Sequence, residues 1–575
     1  MNLLSDYQIF LLNLLTDLKD KKIIDFPEKL KGLTVELPPK EQTADISCNA
    51  AMILAKHNKK KPTEIALILK KYFLEKFKEF EKVEIAKPGF ININFTADFW
   101  RDYLFKLIEF KEDYGSTKKS KIKYNIEFVS ANPTGPLHVG HCRGAILGDA
   151  ISNLLIFNGH SVTKEYYVND YGNQIKNFVK SVYFRILEIV KKEKFPNETD
   201  LYPGDYIIDI AKKIVEQNKI KDFNNFNVLY DKLEKESLKI SVDLIKKNLN
   251  NLGIKHDNFI YESDLIKEKL VSKVVEKLKN NNFIYEGKLK PPKGETPKDW
   301  RSRNQTLFKS TIFGDDTDRA LKKDDGTWTY FAGDIAYHHY KISRKFDILI
   351  NILGADHAGY IKRLEASVKA LSNNKVKLMC KVSQLVKLFK NGVPFKMSKR
   401  KGDYITVEDL IDEVGIDSVR FMMLSRSNDV ELDFDFTKVT EKSKDNPVFY
   451  VQYAYARINS IFRMLDLDIK SKIKVDKQNF SLNNYEIQIL KKISEWPRCV
   501  ETSIYKLEPH RIPFYLYDLA VLFHSYWNLG KDKSDYRFTH SDENIKNSRL
   551  LLLQALVNVI KNGMSILGVS TPKSM

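Results

Sequence analysis

The sequence predicts a multidomain α/β protein: a Rossmann-like parallel-sheet central domain with a helical insertion, an N-terminal α+β domain and a C-terminal all-α bundle. A length of 575 residues suffices for about three to five domains at roughly 100 to 200 residues each. The run YNIEFVSANPTG passes from a strand-like pattern through a Pro/Gly turn into HVGHCRGAILGDAISNLLIFNG, an amphipathic helix closed by Gly159. Strand, tight turn, helix is the opening βα unit of such a sheet. Beyond about residue 435 strand patterns stop, and apolar residues recur at helical spacing.

Taken in order, residues 1–113 mix amphipathic helices (TADISCNAAMILAKH, TEIALILKKYFLEKF) with the alternating strand pair VEIAKPGFININF, a compact α+β domain. A charged link leads into the central domain, 114–435, which is interrupted at about 175–300 by a Lys-rich helical stretch read as an insertion. Strand patterns return at TWTYFAGDIAYHHYK and FDILINILGADHAGY. Residues 436–575 then read as consecutive bundle helices.

Lys and Arg total 94 against 75 Asp and Glu, a formal charge of +19, which suits a polyanionic partner as well as it suits a solvated Lys-rich surface. Cys48, Cys142, Cys380 and Cys499 are far apart, so neither a zinc knuckle nor a disulfide framework is expected, and a reducing cytoplasm fits. The apolar N-terminus carries Asp6 and lacks a basic leader, and no stretch of about 18 uninterrupted apolar residues follows, so no membrane association is expected.

Two segments carry chemistry. In NPTGPLHVGH, His138 and His141 fall on one face of the turn opening a helix, with Gly135 and Gly140 allowing backbone close to a ligand. A helix N-terminus favours an anion, and two imidazoles there add donors for the α or β phosphate of a triphosphate. Taken alone, an HxxH pair more often caps a helix or ligates a metal. In FKMSKRKGDYIT, Lys396 and Lys399 flank Met397 and Ser398 in a basic, Gly-terminated loop suited to charge on a leaving pyrophosphate, although alone it reads as solvated surface.

Together, HVGH and, about 260 residues later, KMSK resemble the HIGH and KMSK elements of class I aminoacyl-tRNA synthetases. EFVSANPTGPLHVGHCRGAILGDAI, YYVNDYGNQI, GADHAGYIKR and ALVNVIKNGMSILGVSTP are similar to the arginyl-tRNA synthetase family, bacterial type, over nearly the whole chain. That resemblance implies Mg2+-ATP, L-arginine and tRNA(Arg) as substrates, an arginyl-adenylate intermediate, no zinc and a monomer that needs bound tRNA before it activates arginine. It assigns catalysis to His138, His141, Lys396 and Lys399, the HIGH region to Ala131 to His141, and ATP contacts to Gly135, Gly140, Met397 and Ser398 besides. It also makes the bundle an anticodon-binding domain and the first domain a reader of the tRNA elbow.

Specificity for a planar guanidinium calls for a carboxylate. Asp334 is the first choice, with Tyr330 four residues earlier and so on the same side of a helical turn, though Asp334 beside Gly333 also reads as a helix cap. The resemblance places both in the arginine pocket, adds Glu127, Ser130 and Asn132 near the amino and carboxylate end, and adds His357, where some relatives have Gln. Ala332-Gly333 stands where many relatives carry Thr-Arg. Aromatic and basic residues interleave at Tyr450, Tyr453, Tyr455 and Arg457 and again at His510, Arg511, Tyr515 and Tyr517, a pattern shared by RNA-stacking surfaces and by bundle cores. Another class I synthetase, for glutamate or cysteine, is disfavoured by this pocket; a non-catalytic tRNA-binding relative is disfavoured by the intact motifs.

Overall fold

A computed structural model describes residues 1–39, 41–117, 121–217, 222–289, 303–395 and 405–575. At its centre is a five-stranded, wholly parallel sheet built from Lys123–Glu127, Ser161–Val168, Asn258–Tyr261, Ile348–Gly354 and Lys377–Ser383. Numbered along the chain, these strands lie in the order 3-2-1-4-5. That order reverses between Lys123–Glu127 and Ile348–Gly354, and ligands of such sheets bind in the crevice at the carboxyl ends of the two strands flanking the reversal. The first strand feeds helix Val139–Phe157, which packs back on the sheet. Gly148 makes this approach feasible, because a Cβ there would meet the Phe128 ring at 2.3 Å.

The third strand, Asn258–Tyr261, corrects the expectation of one excursion over 175–300: the chain returns to the central sheet within it. The insertion's helices Asn173–Lys191, Asp205–Glu216 and Phe226–Asn251 share their own core around Phe178, Ile186, Ile207 and Ile214. After the strand come helix Leu270–Asn280 and a small antiparallel sheet of Ile284–Gly287, Gln305–Phe308 and Arg319–Ala320, so the stretch is not purely helical. A four-residue edge strand that is half-buried throughout gives too short a pattern to stand out from Lys-rich neighbours.

The first domain is a four-stranded antiparallel sheet, ordered Val35–Glu36, Ile46–Cys48, Phe90–Phe95 and Phe80–Ala86, covered by helices including Leu3–Asp20 and Pro62–Lys76. It docks on the C-terminal bundle. Trp496, fully buried, donates Nε1–H to the Tyr114 carbonyl (3.0 Å), Tyr114 donates its hydroxyl to the Ile493 carbonyl (3.1 Å), and Lys561 pairs with Glu112 (2.7 Å). Emptying the Trp496 site costs about 3 to 5 kcal/mol. In the bundle, Glu543–Leu567 is long and apolar enough to cross a membrane, yet 83% of its most apolar window is packed inside the protein. Pro447–Met464, Asn484–Ser494 and Arg511–Asp532 surround it.

Candidate active site

The two ends of the crevice differ in chemistry. On the first, the chain leaves Glu127 through Val129 (φ 71°) and Ser130 (φ 42°), consecutive residues in the left-handed region. The Ser130 hydroxyl donates to Glu127 (3.1 Å) and accepts from the Tyr167 amide (3.1 Å), and Tyr166 donates to the Ala131 carbonyl (2.8 Å), so the turn is held from the neighbouring strand. Asn132 donates to Gln174 (2.6 Å).

His138 is the N-cap of helix Val139–Phe157, and its Nδ1 accepts from the Gly140 amide (3.1 Å). His141 Nδ1 accepts from the His138 amide (3.3 Å), closing a reciprocal cap made of two imidazoles whose ring centroids are 3.9 Å apart. The capping reading of HxxH thus holds. With each Nδ1 accepting, a neutral ring carries its proton on Nε2. Burial lowers the His138 pKa, and burial together with His138 takes His141 down to about 4, so both donors are neutral at pH 7. Gly140 is required because a Cβ would lie 2.9 Å from the His138 ring; Gly135 faces Tyr206, which a Cβ would approach at 3.1 Å.

A short antiparallel bridge joins this turn to the segment following the basic loop: Val139 N–H donates to the Ile405 carbonyl (2.9 Å) and Val407 N–H to the Leu137 carbonyl (3.1 Å), around His138 and Thr406. Leu137 N–H also donates to the buried Asn248 side chain (3.0 Å). On the other side of the loop, Phe395 N–H donates to Leu388 (2.8 Å). Lys396, Met397, Ser398 and Lys399 themselves lie outside the described residues.

The other end of the crevice is acidic. Asp334 stands one turn inside helix Tyr330–Ser343, whose N-cap is Thr329, so the cap reading of Asp334 is set aside. Its carboxylate receives no hydrogen bond among the described residues. Burial first, then Glu127 and Glu262, push its pKa up to about 7, against the opposing pull of Arg363 and Lys341. Glu262 is likewise pushed up to about 7 by burial and Asp170. The Tyr167 ring stacks on Tyr337 (centroids 4.3 Å apart), and its hydroxyl is raised by burial and then by Glu262, Asp334, Glu127 and Asp170.

Glu127 is already matched: the fully buried Lys341 ammonium pairs with it and bonds Asn351 (3.1 Å). Tyr330 is 76% exposed, with the Lys323 ammonium 5.2 Å above its ring. His357 lies in the 3-10 turn Ala355–Tyr360 at the end of the fourth strand, its Nε2 3.3 Å from Asp356. A Cβ on Gly333 meets nothing within 4 Å. Glu262, Tyr167 and Asp170 were missed by sequence reasoning. Tyr167 and Asp170 sit in YYVNDYGNQI, where buried-strand and polar residues adjoin, and Glu262 follows the edge strand that went unseen. On the bundle, Tyr455 and Tyr515 are core, while Arg457 covers Tyr453 at 4.0 Å and Trp527 at 5.2 Å.

Comparison with known proteins gives the family. The family model for tRNA synthetases class I (R), catalytic domain, matches residues 104–460; the arginyl tRNA synthetase N terminal domain matches 13–95 and the DALR anticodon binding domain 451–575. The chain is 56% identical to an arginine–tRNA ligase of Pelagibacter ubique, with 100% of both chains covered. It is 46% identical to the arginine–tRNA ligase of a Wolbachia from Brugia malayi, over 94% of this chain and 95% of that one. The solved Thermus thermophilus arginyl-tRNA synthetase shares the fold at a TM-score of 0.73 and 19% identity, covering 98% of each chain. A class I tRNA synthetase is what sheet, imidazole turn and helical C-terminal domain define. Within that class the chain belongs to the arginyl-tRNA synthetase family.

Proposed function

We infer that this chain is the ligase that attaches L-arginine to tRNA(Arg) for protein synthesis, using ATP. The arginine carboxylate attacks the α-phosphate, releasing pyrophosphate and forming arginyl-adenylate; a hydroxyl of the tRNA 3′-terminal ribose then attacks the acyl carbon and AMP leaves. The observation that carries the reading is an acidic pocket, in which Asp334 and Glu262 are both pushed up by burial and by neighbouring carboxylates, at the switch point of a nucleotide-binding sheet.

His138 and His141 donate from Nε2 to the ATP phosphates, and Lys396 and Lys399 neutralise the leaving pyrophosphate, with Met397 and Ser398 of that loop, Gly135 and Gly140 close to the nucleotide. Asp334 and Glu262 receive the guanidinium; Tyr330 closes over it from the surface. Ser130 and Asn132 face the amino and carboxylate end, with Glu127 fixed there by Lys341, and His357 borders the site. Catalysis is by positioning and by charge stabilisation at the in-line phosphorus. Mg2+ enters with ATP, and no zinc has a role; Cys48, Cys142, Cys380 and Cys499 are free thiols scattered over the fold. The anticodon is read by the bundle, where Arg457, Tyr453 and Trp527 present a cation and aromatic faces, and the elbow by residues 1–113. The catalytic domain spans 114–435 and the bundle 436–575. The enzyme works as a cytoplasmic monomer, free of membranes, and activates arginine only after tRNA binds.

ATP–pyrophosphate exchange with each of the twenty amino acids, with and without tRNA, tests this. Exchange with arginine alone, and only with tRNA present, is expected. Exchange with another amino acid removes the Asp334 pocket, and tight tRNA binding without any exchange makes the chain a non-catalytic relative.

A further inference from the structure

Three parts of the molecule that are far apart in sequence meet at one buried side chain. Arg420, 1% exposed on helix Ile416–Met423, donates from Nε to the Leu567 carbonyl (2.8 Å) and from Nη1 to the Leu252 carbonyl (2.6 Å), and from Nη2 to the Asp149 carboxylate. Leu567 ends the last helix of the bundle; Leu252 follows the last helix of the insertion; Asp149 lies in helix Val139–Phe157. The site is built tightly. Gly568, at φ 67°, leaves no room for a Cβ, which would fall 2.2 Å from Arg420 Nη2. Asp149 is also paired with Lys164 (2.6 Å), which bonds Asn153 (3.1 Å), and Asn153 donates to the Ile566 carbonyl (3.3 Å). On the same short helix as Arg420, Asp417 accepts from the Ser570 amide (2.9 Å) and from Gln452 (2.8 Å).

Stability alone does not call for this arrangement, since apolar residues of similar volume replace a buried ion pair at little loss. What the guanidinium adds is direction: a planar fork holds three acceptors at fixed angles. Asp149 is eight residues beyond His141, about 12 Å along a rigid helix. A shift of about 1 Å at a reacting centre can cost about a hundredfold in rate.

We propose that Arg420 is a positioning residue for arginine activation, holding helix Val139–Phe157 through Asp149 so that His138 and His141 meet the phosphates only when the ends of the bundle's last helix and of the insertion are docked. This rests on the reading of His138 and His141 as phosphate donors, which the exchange assay on the unaltered enzyme tests by itself.

The test is ATP–pyrophosphate exchange, with arginine and tRNA, on Arg420→Gln, Asp149→Asn, their double variant and Gly568→Ala, with folded fraction from circular dichroism and tRNA affinity measured alongside. Expected is a fall in kcat of about tenfold or more for each charge variant, with the KM values for ATP and arginine and the tRNA affinity within about twofold, and a double variant no worse than the worse single one. Gly568→Ala, which keeps both charges and displaces the fork, shows the same split at about threefold or more. Unchanged kcat per folded molecule overturns the proposal, as do additive losses in the double variant. Should the charge variants not fold, Gly568→Ala decides alone: wild-type kcat per folded molecule refutes the positioning role.

Discussion

The two ends of the crevice solve opposite problems by opposite means. At the start of helix Val139–Phe157 the proposed anion site is built from groups that carry no charge: two imidazoles kept neutral by burial, their Nδ1 atoms accepting from backbone amides. At the start of helix Tyr330–Ser343 the proposed cation site is built from carboxylates raised by burial and by neighbouring carboxylates, with Asp334 and Glu262 pushed up to about 7. On the proposed reading, the imidazole turn is already held by its own hydrogen bonds, whereas the acidic end gains its balancing charge from the substrate. Mutation and pH should therefore separate them, rate following the first and arginine affinity the second.

The largest effect is expected from His141→Ala. Removal of one pre-organised donor costs about 2.7 to 4 kcal/mol of transition-state stabilisation, a hundred- to thousandfold loss in kcat. Single-turnover adenylate formation reads it, and tRNA affinity measured in parallel should not move; equal losses would mean that the imidazoles hold only the fold. Next comes Asp334→Asn, which removes a charged acceptor worth about 1.5 to 3 kcal/mol and so raises the arginine KM by roughly 10- to 150-fold. The same change relieves repulsion with Glu127 and Glu262, so the empty enzyme should melt no lower than the unaltered one. A lower melting temperature with unchanged KM would remove Asp334 from the pocket.

Protonation gives a graded version. Asp334 is raised in the folded state from 3.8 to about 7, so the stability tied to its protonated form is fully present below pH 3.8 and is lost as pH rises towards 7. Arginine reverses the loss by binding the ionised form. The kcat/KM for arginine should fall by up to about tenfold for each pH unit below 7, and arginine should raise the melting temperature more at pH 8 than at pH 6. Since His141 titrates near 4, kcat at saturating arginine should show no imidazole limb between pH 6 and 8. The smallest effect is that of Gly333→Ala: with open space around the site and a helical backbone, it should stabilise by about 0.5 to 1 kcal/mol in denaturant titration and leave both kinetic constants alone.

The same contrast explains what the sequence made legible. The anion end is local: Gly135, His138, Gly140 and His141 act through a turn and the first turn of one helix, and spacing alone displays them. The acidic end is assembled from four places in the chain, so Asp334 was found beside Tyr330, whereas Glu262, Asp170 and Tyr167 depend on strands pairing across a sheet. Spacing also paired Tyr330 with Asp334 without saying that Tyr330 lies largely in solvent under Lys323. The all-α C-terminal region was legible from periodicity, but not which aromatics it buries: Tyr455 and Tyr515 are inside, and Arg457 covers Tyr453. Long-range polar closure, as at Arg420, left no periodic mark at all.

Tyr114, Trp496 and Glu112 make one solid body of two parts of the chain that the whole central domain separates in sequence. The span between a surface on the first domain and a surface on the bundle is thus a gauge fixed at folding. On the proposed reading, a tRNA that contacts both surfaces meets a span set by the fold rather than by the ligand.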